Sequence, residues 1–303
     1  MKRINEFPGS GLLAFVAVLF PVSVFLLPGC TTTEPMIIAR DVDVTGPFHQ
    51  IPVRITDRDM AGHLRIIPHI AVMQRTNFSG VADLNSESDL NIYGVNDSTN
   101  NLRWNIPSYV AGLSFDYGLS KTFSLSAGGT YSKADGKKSL EWDFGLAACF
   151  QDEAIGGRLE AGVQWQDLNY SALFDRYNLE YNWSTGDQVA AYLYSFNRYG
   201  KYLTGNVYVN LTLNTKYRHS AVNGFVRVGY GITSVLSNDM LRLNEDGDIA
   251  TSVGFIDVTP GLYFKITRWN SLLLGCEFVT PATMTSSNPE WLVIPVAQID
   301  FSL

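Results

Sequence analysis

Cysteine is nearly absent: Cys30, Cys149 and Cys276 are the only three in 303 residues, too few for a disulfide framework in a chain of this size. Charge is scarce as well, at 17 % of residues, with 22 Lys and Arg against 29 Asp and Glu. The resulting formal net charge of -7 argues against nucleic acid as a partner and suits an acidic exposed surface. After Cys30 no apolar run approaches the roughly 20 residues that a transmembrane helix requires. Any later crossing of a membrane must therefore be made by strands. No linker divides the chain, so the bulk of it is read as one domain.

What is present is alternation. Tyr109, Ala111, Leu113, Phe115, Tyr117 and Leu119 alternate with Val110, Gly112, Ser114, Asp116 and Gly118. After a turn at Ser120–Thr122 the pattern resumes, with Phe123, Leu125, Ala127, Gly129 and Tyr131 in one phase and Ser124, Ser126, Gly128 and Thr130 in the other. A third run follows from Leu140 to Phe150. A period of two is the mark of a strand with two unlike faces.

Period two alone does not separate a soluble barrel, lipocalin-like and apolar inside, from a membrane barrel that is apolar outside. Three features favour the membrane. The polar phase is Ser, Thr, Gly and a few carboxylates, whereas a solvated face carries many Lys and Glu. Aromatics gather at strand ends: Tyr109, Tyr131, Trp142, Trp165, Tyr230 and Trp291 at one rim, and Phe123, Phe150, Phe264 and Phe301 at the other. Two girdles flanking an aliphatic band match a bilayer with two interfaces. Finally, the connections are short at one end and long at the other.

Continued along the chain, the rule predicts strands at Arg65–Arg75, three between Tyr109 and Phe150, Leu159–Trp165, Leu203–Leu213, Val222–Ile232, Ile256–Ile266, Leu272–Phe278 and Trp291–Leu303. The expected fold is thus all-β, a closed antiparallel up-and-down transmembrane β-barrel of about ten strands over residues 62–303. The Tyr-rich stretch Asp167–Lys201 is expected to be an extracellular hairpin loop folded over the mouth, because Asp175, Arg176 and Glu180 interrupt a clean apolar phase. Read as two further membrane strands, it would raise the count to twelve. Pro68, Pro260 and Pro295 fall inside strands and call for bulges, since proline removes a ladder donor.

The first 29 residues are expected to be a signal peptide: Lys2 and Arg3 precede an apolar stretch from Leu12 to Leu27. Leu27-Pro28-Gly29-Cys30 resembles a bacterial lipobox, although Pro28 departs from the usual residue there. The resemblance implies acylation of Cys30, with residues 30–61 following as a periplasmic linker that lies in or under the barrel and has room for one strand. The C-terminal strand, with Phe301 near its end, resembles the closing strand of the bacterial outer-membrane barrel class. That resemblance implies residence in the bacterial outer membrane, with its lipids as partners.

In this register Asp116, Glu141, Asp143, Arg158, Glu160, Arg227, Asp257, Lys265 and Glu277 point inward. They are expected either to pair across a narrow lumen or to line a charge-selective pore. Tyr170, Tyr177, Tyr181, Trp183, Tyr192 and Tyr194 are candidates for recognition of an extracellular ligand or surface partner, since Tyr gives contact area at low entropic cost. No cofactor is expected. Asn244-Glu245-Asp246-Gly247-Asp248 lacks the distal Glu of a calcium loop, so no metal site is expected either.

Outer-membrane proteases of ten strands resemble the chain in size but use an Asp-x-His pair. Here Tyr217 stands two residues before His219. Membrane-embedded lipid hydrolases need Ser and His on the lipid-facing wall, and none of His49, His63, His69 and His219 takes such a position. The expectation is a non-enzymatic structural or surface-interaction role, with a narrow pore as the alternative and a hydrolase as the lesser one.

Overall fold

The computed structural model describes residues 35–46, 52–56, 60–72, 77–81, 101–134, 136–182, 187–216, 221–236, 251–267, 270–282 and 291–303. The expected signal peptide, Cys30, His49, His219, Trp183 and the acidic stretch 244–248 lie outside these residues. Thirteen strands are described: β1 (Pro35–Thr45), β2 (Leu64–Val72), β3 (Asn77–Val81), β4 (Asn101–Asn105), β5 (Tyr109–Gly118), β6 (Phe123–Ala134), β7 (Lys137–Gln151), β8 (Ile155–Asn182), β9 (Asp187–Thr215), β10 (Val222–Leu236), β11 (Thr251–Lys265), β12 (Asn270–Pro281) and β13 (Leu292–Ser302).

Ten of them, β2 and β5 to β13, pair antiparallel in chain order, and β13 pairs back onto β2 (Gln298 with His69, Phe301 with Ile66). The sheet thus closes into a ten-stranded barrel. Closure leaves no unpaired edge in the lipid zone, which a bilayer requires of any strand that crosses it. The outer wall carries the predicted phase: Leu113, Leu125, Phe144, Leu159, Val207 and Val228 are all exposed, while Ser114, Ser126, Asp143, Arg158, Tyr208 and Arg227 on the opposite phase are buried. The girdles also stand where expected, with Trp142, Trp165, Tyr230 and Trp291 exposed near one rim and Phe123, Phe150 and Phe301 near the other. This wall, apolar out and polar in, is that of an outer-membrane β-barrel. The short connections from β5 to β6, β7 to β8 and β11 to β12 define its periplasmic end, and the long connections its outer end.

The prolines are accommodated without bulges. The β2–β13 ladder is interrupted between Gln298–His69 and Phe301–Ile66, opposite Pro68, and the β11–β12 ladder between Val258–Phe278 and Gly261–Gly275, at Pro260. Pro295 lies just beyond the last β13–β2 pair, Val296–Ala71. In each case one side of the proline faces a gap in a ladder or lies beyond its end, which is where a missing N–H leaves no carbonyl acceptor waiting.

Three features refine or differ from the sequence expectation. Asp167–Lys201 is a hairpin beyond the rim, as expected, and not an extra pair of membrane strands. Strands β8 and β9 simply continue past the rim as one hairpin, in register from Ile155–Thr215 to Asn182–Asp187 with one shift at Arg176/Tyr177. Secondly, the region 76–105, whose acidic residues and scattered Asn and Ser predict a long surface loop, contains β3 and β4. Thirdly, the one strand for which residues 30–61 had room is β1, and it does not lie at the periplasmic end: it pairs antiparallel with Asn169–Asn178 of β8, above the outer rim, and carries β4 (parallel) and β3 beside it, while residues 52–56 lie in the barrel.

The reason is an inversion of phase. Along β8 the inward side chains are Glu160, Gln164 and Gln166, then Leu168, Tyr170, Ala172 and Phe174, all buried. The outward phase changes in the opposite sense, from Leu159, Val163 and Trp165 to Asp167, Asn169 and Ser171. Within the bilayer the apolar face must point out; once the hairpin stands in water it must point in. Asp175, Arg176 and Glu180 break the lipid-facing phase because no lipid is there.

Candidate functional site

The barrel interior is built in strata. At the outer end, inward apolar residues of the barrel (Ala71, Val110, Val253, Phe255, Val279, Leu292, Ile294) meet Val42 and Val44 of β1, Leu102 and Trp104 of β4, Ile106, and Leu168, Tyr170, Phe174 and Tyr202 of the hairpin in one buried cluster. Trp104 lies edge-on to Phe255, with centroids 5.5 Å apart, and its Nε1 donates to the Gly46 carbonyl at 3.2 Å. This β cap packs onto the outer end of the barrel interior.

Below it is a band of ion pairs. Arg158 donates to both carboxylate oxygens of Asp116 (2.9 and 3.1 Å) and, through Nε, to Glu160 at 2.8 Å. Arg227 bridges Asp257 at 2.8 Å and Glu277 at 2.6 Å. The structure therefore brings together Asp116, Arg158 and Glu160 in one group and Arg227, Asp257 and Glu277 in another. Asp143 joins the first through a residue not singled out in the sequence: Arg54 Nη1 lies 2.6 Å from Glu160 and Nη2 3.0 Å from Asp143. Glu141 is buried but forms no ion pair among the described residues. Lys265 is half-exposed at the periplasmic end of β11 and takes no part in either network. Ser126 and Tyr208 donate to Glu160 at 2.7 and 3.2 Å, which leaves the carboxylate saturated.

Arg54 belongs to an extended segment, Pro52–Thr56, that runs inside the barrel. Its backbone is paired by wall side chains instead of a strand. The Val53 N–H donates to Gln298 Oε1 at 3.0 Å, and Gln298 Nε2 donates to the Val53 carbonyl. Thr56 is bracketed in the same way by Asn214, whose Oδ1 accepts its N–H at 2.9 Å and whose Nδ2 donates to its carbonyl at 3.3 Å. Arg65 donates to the Ile55 carbonyl at 2.7 Å and lies 3.7 Å from Asp300. Side chains alternate: Arg54 faces the carboxylates of β7 and β8, while Val53 and Ile55 pack with Phe225, Tyr263 and Leu273 on β10 to β12. Two glycines of the wall make room for the chain. A Cβ on Gly156 would lie 1.9 Å from the Thr56 carbonyl oxygen, and one on Gly118 would lie 1.9 Å from that of Met60.

The signals for this segment were in the sequence but faint. Val53-Arg54-Ile55-Thr56 alternates for only four residues, and Phe225, Tyr263 and Leu273 are apolar residues on an otherwise polar inward phase. Each needed its partner to be understood.

Of the aromatic candidates, Tyr170 is 7 % exposed and packs edge-on to Tyr202 in the cap core, so it is not available for recognition. Tyr177 is half-buried against Tyr192 (5.6 Å between centroids). Tyr192 and Tyr194 are exposed, at 55 % and 48 %. Arg176 lies over the Tyr194 ring and donates to its hydroxyl at 3.2 Å, and Phe196 stacks on Phe174. The side chain of Tyr181 is not among those described. Of the described histidines, His69 is buried in the lumen near Thr130 Oγ1 (3.4 Å) and His63 sits at the periplasmic rim beside the Leu303 carbonyl (3.2 Å). Among the described residues no group of three or more His, Cys, Asp or Glu is arranged to hold a metal ion.

No family model and no curated protein matches the chain. Solved structures similar to it include the outer membrane protease OmpT from Escherichia coli (10 % identity, TM-score 0.43, covering 83 % of this chain and 99 % of that one). An outer membrane channel from Pseudomonas putida F1 is similar at 9 % identity and TM-score 0.35, covering 84 % of this chain and 97 % of that one. LpxR from Salmonella typhimurium is similar at 11 % identity and TM-score 0.31, covering 78 % and 99 %. At these values the placement as an outer-membrane β-barrel stands on the wall itself: a closed ten-stranded sheet, apolar outside, polar within and girdled at both rims.

Proposed function

We propose that the protein is a closed outer-membrane barrel with a structural or surface-interaction role, in which the barrel serves as a mount for the β cap. The observation that carries this reading is the occupied lumen: the arginines of the two networks are each spent on carboxylates, and Pro52–Thr56 fills the space between them. A charge-selective pore needs unpaired charge facing water. The exposed Tyr192 and Tyr194, with the half-buried Arg176 beside them, offer the flat, amphipathic surface on which a partner or glycan would stack. A lipid hydrolase is the lesser reading, since His63 and His69 are both engaged away from the lipid-facing wall. We also assign an acyl anchor to Cys30, on the strength of its lipobox-like setting; fatty-acid labelling that is lost in Cys30→Ala tests it, and equal labelling of the parent and variant would remove it.

The deciding experiment for the role is single-channel conductance of the refolded protein in planar bilayers. The expected result is no stable conductance step for the parent, and a step once residues 47–59 are replaced by a Gly-Ser linker. A stable open channel in the parent would overturn the closed-barrel reading.

A further inference from the structure

The path of the N-terminal segment has a fixed direction. Strand β1 lies above the outer rim, bonded to β8 from Asn169 to Asn178, and the Gly46 N–H donates to the Asn105 carbonyl at 3.3 Å on the same side. Residues 52–56 lie in the lumen, held by Gln298, Glu160, Asp143 and Asn214. Met60 to His63 are at the opposite rim: the Gly62 N–H donates to the Gly118 carbonyl at 2.8 Å, the Gly118 N–H to the His63 carbonyl at 3.1 Å, and β2 starts at Leu64 beside the C-terminus. Gly46 to Met60 is fourteen steps, a reach of up to about 49 Å when extended. That exceeds the apolar band of an outer-membrane barrel, about 25 Å tall.

We infer that the chain passes through its own barrel from outside to inside, so that everything preceding Pro35 in the mature protein is displayed on the outer face of the membrane. The inference does not depend on the interaction role proposed above. It has a consequence for the anchor: Cys30 precedes Pro35 by five residues, at most about 18 Å of chain. An acyl group carried there is therefore tethered to the outer end of the barrel and has the outer leaflet within reach, where the sequence alone suggested a periplasmic anchor.

The passage also constrains assembly. Arg54 is sealed between β7, β8 and the β10–β12 wall, and closure of β13 on β2 completes the ring around it. A segment with a folded cap on one side cannot be threaded through a closed ring. If the cap folds first, the segment must therefore already lie in the lumen when the last strand pair forms, with the sheet closing around it.

Cysteine-accessibility labelling of whole cells tests the inference, in a Cys149→Ser/Cys276→Ser background with a membrane-impermeant maleimide. Arg40→Cys reports β1, at the register shift where its side chain is exposed, and Asp41→Cys gives a second, independent reporter on the same strand. Lys138→Cys in the outer β6–β7 hairpin and Glu153→Cys in the periplasmic turn are controls, both exposed. Heat-modifiable gel mobility confirms that each variant is folded. The expected result is labelling of Arg40→Cys and Asp41→Cys in intact cells as complete as that of Lys138→Cys, with Glu153→Cys labelled only after lysis. Labelling of Lys138→Cys while both β1 reporters stay silent until lysis would place β1 in the periplasm and overturn the inference. Labelling of Glu153→Cys in intact cells with Lys138→Cys silent would reverse the barrel and overturn it too.

Discussion

Replacing Arg54 with methionine keeps the stem that packs in the lumen and removes the guanidinium. The side chain is 1 % exposed and holds Glu160 at 2.6 Å and Asp143 at 3.0 Å. The two carboxylates do not lose equally. Glu160 retains Arg158, Ser126 and Tyr208, whereas Asp143 has no other ion pair among the described residues. Removing one partner of a buried pair costs about 3–5 kcal/mol, because the remaining charge is stranded. With Glu160 largely compensated, the loss is expected at the lower end, about 3 kcal/mol. Adding Asp143→Asn removes the stranded charge and should restore about 2 kcal/mol, so the two substitutions are strongly non-additive. Urea unfolding from lipid vesicles, followed by tryptophan fluorescence and by heat-modifiable gel mobility, reads this as a midpoint shift at constant slope. If Arg54→Met costs less than about 0.5 kcal/mol, as a surface substitution would, Arg54 does not hold the lumen together and the reasoning fails. Failure of Asp143→Asn to restore stability would also refute it.

Three further outcomes are expected. Leu113→Arg, at a lipid-facing position that is 42 % exposed, should cost roughly 2–4 kcal/mol in refolding into vesicles, and a harmless result would contradict the outward phase. Gly156→Ala drives a methyl onto the Thr56 carbonyl oxygen and should destabilise by about 1–3 kcal/mol, whereas Gly224→Ala, whose nearest neighbour is 3.9 Å away, should stay within about 0.5 kcal/mol; equal urea midpoints for the two would remove the close approach of the lumen segment. Phe174→Ala should cost about 3–5 kcal/mol because its ring is fully buried in the cap, while Tyr192→Ser and Tyr194→Ser should leave the thermal midpoint unmoved; the reverse order would mean that the hairpin does not pack inward.

How much of this was legible in the sequence depends on whether one face of a strand can be judged without its partner. The lipid-facing phase can: Leu113, Phe144 and Val207 need only to be apolar, because lipid is a uniform solvent with no shape to match. The alternation, girdles and unequal connections therefore determined the ten-stranded barrel, its inward charges and its orientation. For the aromatic stretch the rule showed only that no lipid-facing phase continues past the rim. There the solvent changes to water and Leu168, Tyr170 and Phe174 turn their apolar side inward. Only the tertiary structure decided what fills the lumen. Val53, Arg54, Ile55 and Thr56 have no ladder of their own; their conformation is set by Gln298, Asn214, Glu160 and Asp143, which lie between 89 and 245 residues away in sequence. Local periodicity carries no trace of such partners, since a segment whose backbone is satisfied by distant side chains becomes extended only when the closed wall surrounds it.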